Sequence, residues 1–128
     1  VDSKDNYDKY CEYTKFNEKT RATILFFMLL YKKQVLSKEF IISLALQYQE
    51  NILHHIDNNE HVNVIDEYIE LLFIILTNIE NVNVDQECAK LYENIQTLAS
   101  YKIKQYAGLS SRSIFKCRDL LTALNKSK

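Results

Sequence analysis

Proline is absent from the 128-residue chain, and glycine occurs once, at Gly108. Sheet proteins need tight turns, and tight turns draw heavily on those two residues. Their scarcity argues for an all-α domain. A single glycine also excludes the glycine-rich phosphate cradles of nucleotide-binding folds. Neither an HExxH metalloprotease pattern nor a nucleophile elbow is present. The chain is therefore expected to have no enzymatic activity and no cofactor. Cysteine is sparse and unpatterned: Cys11, Cys88 and Cys117 form no CxxC and no Cys/His ligand spacing. Three scattered thiols fit a reducing compartment better than a disulfide framework. The start lacks a signal-peptide pattern, and the longest apolar run, residues 24–31, is too short to span a bilayer. A soluble, cytoplasmic protein with no membrane partner is expected.

What is present suffices for a core. Apolar residues make up 47% of the chain, and its length is that of one domain. The net charge of −1 conceals a segregation. Residues 1–49 hold 8 basic and 6 acidic groups, residues 50–93 hold 1 and 10, and residues 94–128 hold 7 and 1. Such polarity implies that the segments meet different partners or one another, unless they are merely solvated surface.

Apolar periodicity predicts five helices after a lead-in segment. Residues 1–16 read as a lead-in helix, with Tyr7, Tyr10, Tyr13 and Phe16 three apart. The next runs from about Asn17 to Gln34, with Ile24, Phe27, Met28, Tyr31 and Val35 on one face. Leu25, Phe26, Leu29 and Leu30 make it apolar nearly all round, which predicts burial between neighbours. Ser37 is a candidate N-cap for a helix whose stripe is Phe40, Ile41, Leu44, Tyr48, Ile52 and Leu53. The polar segment 57–60 ends it. Asn63 is the next candidate cap, with Asp66 in the first turn favouring the dipole. That helix faces inward with Ile65, Tyr68, Ile69, Leu72, Ile75, Leu76 and Ile79, and residues 80–83 close it. The fourth starts near Asp85 and buries Cys88, Leu91, Tyr92, Ile95, Leu98, Ala99 and, at its end, Ile103. Gly108 reads as its left-handed stop. Ser110 then caps a last helix, with Leu109 stapled to Ile114. Its core face is Ile114, Phe115, Leu120, Leu121 and Leu124, and its other face presents Arg112, Lys116 and Arg118.

Paired caps recur about every 45 residues, the period of HEAT-type hairpins. The expected architecture is a set of antiparallel helical hairpins stacked as a HEAT-type α-solenoid. It is either one domain over 1–128 or the C-terminal part of a larger one, with 1–16 as lead-in and 17–128 as the stack.

The polar features admit two readings each. His54 and His61, seven apart, could share a face with Asp57 as metal ligands, or form an exposed helix end. Glu67 and Glu70 read as a solvated face. The nine tyrosines could stack on single-stranded RNA, although Tyr31, Tyr48, Tyr68 and Tyr92 lie on apolar stripes. Lys102 and Lys104, with Arg112, Lys116 and Arg118, are the candidate phosphate contacts.

Three segments carry a resemblance. Residues 20–36 hold a basic start, an aromatic and aliphatic run, and a closing Leu before a capping Ser. Phe26, Phe27, Leu30, Tyr31, Lys32, Leu36 and Ser37 match a helix in the middle domain of translation initiation factor 4G, while Met28 and Leu29 stand where that family favours Gly-Glu. Residues 69–76 look like the family's Leu-Leu helix before an acidic linker. Residues 110–121, Ser-Ser-Arg-Ser-Ile-Phe-Lys-Cys-Arg-Asp-Leu-Leu, are similar to its closing Ser-Ser-Arg-x-x-Phe-x-x-x-Asp helix. The resemblance spans the chain from about Phe16 and corresponds to the C-terminal half of that HEAT domain. It implies a scaffold that binds and activates a DEAD-box RNA helicase of the initiation factor 4A type. A cap-binding subunit would join only through segments outside this chain. Residues implied in helicase binding are Arg112 and Phe115, then Lys116, Arg118 and Asp119. Phe115 could instead pack the last helix. Direct RNA binding, or a related scaffold role in mRNA decay or splicing, remains the alternative.

Overall fold

The computed structural model describes the backbone of residues 2–126 and the side chains of residues 15–126. Its regular elements are α1 (Asp2–Lys32), α2 (Lys38–His55), α3 (Val62–Thr77), α4 (Ala89–Ser100) and α5 (Ser111–Lys126). Short 3-10 turns, Asn59–His61 and Gln86–Cys88, lead into α3 and α4. Among the described residues there is no strand, and no helix is long and apolar enough to cross a membrane.

The predicted break at Asn17 does not occur: α1 runs through it unbroken. Nothing there competes with the helix, because no glycine or proline interrupts the periodic run. The side chains of Tyr7, Tyr10, Tyr13 and Cys11 lie outside the described residues. Helix α1 stops where Gln34 adopts a left-handed φ of 65°. The Val35 N–H donates to Leu30 O at 2.9 Å and the Gln34 N–H to Tyr31 O at 3.0 Å, a Schellman closure. A side chain there strains the left-handed backbone that glycine adopts freely. Gln34→Gly is accordingly expected to raise stability by about 0.5–1 kcal/mol, read as a higher urea midpoint at unchanged m.

The Ser37 cap is present, its Oγ accepting from the Phe40 N–H at 3.1 Å. Asn63 is not a cap. The capping carboxamide is Asn58, which accepts from the Glu60 N–H at 2.9 Å and starts the 3-10 turn before α3. Asp85 does the same for Glu87 at 3.2 Å, four residues before α4 proper. In both places the chain tightens into a 3-10 turn before the α-helix; the cap before α3 lies one turn ahead of the expected Asn63, whereas Asp85 is where the fourth helix was expected to start.

Helix α3 is the centre, packed against α1, α2 and α5, while α4 packs against α2 and α5. Ile65, Ile69, Leu71, Leu72, Ile75 and Leu76 are all buried, so α3 contributes more than one face to the core. The face of α2 is rotated from the predicted stripe. Ile41, Ile42, Ala45, Gln49 and Ile52 are buried, whereas Phe40 and Leu53 are exposed. Phe40 instead meets Phe27 of α1 edge-on at 5.9 Å. Gln49 is tolerated in the core because its amide is satisfied. Its Nε2 donates to Leu91 O at 3.1 Å, and its Oε1 accepts from Asn94 Nδ2 at 2.8 Å.

Three further expectations fail. Helix α1 is not buried all round: Ile24 and Met28 face α3, but Leu25, Phe26 and Leu29 are 54%, 55% and 51% exposed. Gly108 is not the stop of α4, which ends at Ser100, and it has no positive φ. Its N–H donates to Ile56 O at 2.8 Å, and a Cβ built on it would sit 2.7 Å from the carbonyl oxygens of His55, Ile56 and Asn58. The residue is glycine because the chain passes directly against the C-terminal end of α2. Ile103, in the intervening turns, is exposed rather than inward.

Candidate functional site

The charge segregation along the chain resolves into contacts between its segments. Arg21 of α1 donates from Nε and Nη2 to both carboxylate oxygens of Glu67 on α3, at 2.6 and 2.7 Å. Lys38 reaches Asp85 at 2.5 Å. On α5, Arg112 and Lys116 approach Glu70 at 3.9 and 3.7 Å. Each pair joins the acidic middle of the chain to one of its basic flanks. Glu67 and Glu70 are thus partners of neighbouring helices, not a solvated face. The hydrogen bonds that Arg21 donates to Glu67 raise the Arg21 pKa above its ordinary value, and the one that Lys38 donates lowers Asp85. Periodicity alone cannot distinguish a carboxylate facing water from one facing a neighbouring helix.

The same register fixes the start of α5. Ser110 caps it, its Oγ accepting from the Ser113 N–H at 3.0 Å. The Ser110 hydroxyl also donates to Asp66 Oδ1 at 2.6 Å, and the buried Ser113 hydroxyl donates to the same oxygen. Asp66 is therefore an anchor for the corner between α3 and α5, not a first-turn dipole partner. Leu109 and Ile114 both lie in the core, where the proposed staple would have them. The buried face of α5 consists of Ser113, Ile114, Cys117, Leu120 and Leu124.

Phe115 is not on that face; its side chain is 48% exposed. Arg118 stands over its ring at 5.6 Å, while its guanidinium donates to Ala99 O at 3.0 Å and Tyr101 O at 3.4 Å. Arg118 so caps the last carbonyls of α4 and holds the following turn. Arg112 is 76% exposed and Asp119 is exposed, both on the Phe115 side of the helix. Lys116 leaves this group. It is half-buried, with Nζ 4.1 Å from the centre of the Phe73 ring and beside Glu70. Lys102 and Lys104 are exposed on the turn after α4, Lys104 with a φ of 69°. Of five candidate phosphate contacts, Arg112, Lys116 and Arg118 thus have partners within the protein. Near the start of α5, a groove of about 380 Å³ is lined by Val62, Ile103, Lys104, Tyr106, Leu109 and Ser111. The site gathered by α5 is an aromatic side chain with guanidinium and carboxylate neighbours.

The histidines meet at the other end of α2. His55, not His54, contacts His61, with ring centres 4.4 Å apart, and it also touches His54 at 4.9 Å. Among the described residues no three His, Cys, Asp or Glu side chains could hold a metal ion. Burial, then the facing His61 and His54, lowers the His55 pKa. The unfolded chain therefore binds more protons just below its ordinary value of about 6.5. Stability should be constant above that pH and fall as pH drops through it. His55→Gln should flatten the melting temperature between pH 7.5 and 5.5, measured by circular dichroism. Cys88 and Cys117 are free and buried. Burial pushes the Cys117 thiol up to about 12 and raises Cys88 as well, so neither supplies a thiolate near neutral pH.

Compared with protein-family models, curated proteins and solved structures, the chain matches none.

Proposed function

We propose that this chain is a translation-initiation scaffold that binds a DEAD-box RNA helicase of the initiation factor 4A type through α5 and raises its activity without chemistry of its own. The observation that carries the reading is the exposure of Phe115 beside Arg112, Arg118 and Asp119. An aromatic ring held at the surface between an arginine and a carboxylate is the composition of a protein-binding hot spot. These are also the positions at which residues 110–121 resemble the closing helix of the factor 4G middle domain. Helix α1 packs on α3 and α3 on α5, while α2 packs on α4. That alternation supports reading the bundle as stacked HEAT hairpins, a rigid body able to position a helicase lobe.

Direct RNA binding is the weaker reading, because three of its five cations, Arg112, Lys116 and Arg118, have partners within the protein. The test is calorimetric titration of the chain with a 4A-type helicase from the same source, alongside Arg112→Ala. Alanine is preferred to glutamate, which would confront Glu70. Saturable binding, weakened about tenfold in the variant at unchanged melting temperature, is the expected result. No binding by the folded chain overturns the proposal. Binding to a single-stranded RNA that falls steeply with salt would replace it.

A further inference from the structure

The outward face of α1 has an internal symmetry. Glu18, Ala22, Leu25, Phe26, Leu29 and Lys33 are all exposed and lie opposite the buried Ile24 and Met28. Their spacing along the chain is four, three, one, three and four residues, the same read in either direction about the point between Leu25 and Phe26. At 3.6 residues per turn, positions separated in this way fall on one stripe. The stripe is apolar at its centre and carries opposite charges at its two ends. The adjoining cations are turned elsewhere, Arg21 to Glu67 and Lys32 to Asn78 Oδ1 at 2.9 Å. Neither Glu18 nor Lys33 enters an ion pair among the described residues.

We propose that this face binds a second copy of the chain, with the two α1 helices antiparallel across a twofold axis between Leu25 and Phe26. In that register Leu25 meets Phe26 of the other copy, Ala22 meets Leu29, and Glu18 meets Lys33, each contact occurring twice. The small Ala22 lets the helices approach where Leu29 projects. A parallel arrangement would instead set Glu18 near Glu18 and Lys33 near Lys33, which like-charge repulsion disfavours. Helices α1 and α5 both pack against α3, and no residue of the α1 stripe belongs to the α5 face. The contact uses one face of about four helical turns from each copy, so the dimer is reversible and forms at high micromolar concentration.

Sedimentation equilibrium of the chain from about 10 μM to 1 mM tests this. A monomer–dimer equilibrium is expected, lost in Phe26→Glu. Glu18→Lys and Lys33→Glu should each weaken it, by roughly tenfold where two ion pairs become two repulsions. The double variant Glu18→Lys/Lys33→Glu should restore it, because the exchanged charges are complementary only in the antiparallel register. All three positions are exposed, so melting temperatures should be unchanged and folding does not confound the readout. A monomer throughout the range, or a dimer that survives Phe26→Glu, overturns the proposal. Failure of the double exchange to restore association overturns the antiparallel register.

Discussion

Gly108→Ala is expected to lower stability by about 3 kcal/mol, enough to reduce the melting temperature by roughly 10 °C. The added methyl carbon would lie 2.7 Å from three backbone carbonyl oxygens, those of His55, Ile56 and Asn58. None of these is the movable end of a side chain. Relief requires shifting the end of α2 or the segment that leads into α5. Such a shift also lengthens the hydrogen bond from the Gly108 N–H to Ile56 O, now 2.8 Å. It further disturbs the neighbouring Ser110–Asp66–Ser113 anchor, which depends on the same corner. The cause is close approach and not a left-handed backbone. An asparagine, which tolerates left-handed φ, should therefore rescue nothing. Chemical denaturation of Gly108→Ala and Gly108→Asn distinguishes the two causes: a stable Asn variant would contradict the contact geometry.

Phe115→Asp should have the opposite profile. Phe115 is about half exposed and outside the buried face of α5, so its loss opens no cavity. The melting temperature should shift by no more than a few degrees, reflecting the loss of the Arg118 contact over the ring. If the α5 face is the helicase site, affinity should fall by about a hundredfold, the loss typical of a buried aromatic anchor. A core role would give the reverse, several kcal/mol of lost stability and binding lost only through unfolding. Parallel calorimetry and thermal melts on one preparation separate these outcomes.

Much of the fold was legible in the chain. The lack of proline and the single glycine indicated helices throughout. The inward faces of α3 and α4 followed from their spacing, since Ile65, Ile69, Leu72, Ile75, Leu91, Ile95 and Leu98 are buried as periodicity implies. Ser37 and Ser110 were readable as caps because a short hydroxyl before an apolar run has few other uses there. The candidate site was legible only in outline. Arg112, Phe115 and Asp119 share an exposed side of α5, but Phe115 had been equally compatible with the core. Lys116 and Arg118 were counted with the free basic face, yet one lies over Phe73 and the other holds the end of α4. Asp66 and Gln49 escaped notice in their actual roles. Their only sequence signal was a polar residue set among apolar neighbours, and that signal does not name a partner.

By itself the sequence determined what local rules control: helix type, most caps, and the apolar periodicity of α3 and α4. It also set the segregation of charge into an acidic middle and basic flanks. The tertiary structure alone decided which face each ambiguous helix turns inward, because a helix such as α1, apolar nearly all round, has no preferred face until a neighbour covers one. It decided equally that the opposed charges meet one another, and that Gly108 is needed for contact instead of for its backbone freedom. Both depend on distances between segments more than forty residues apart, which no local pattern encodes.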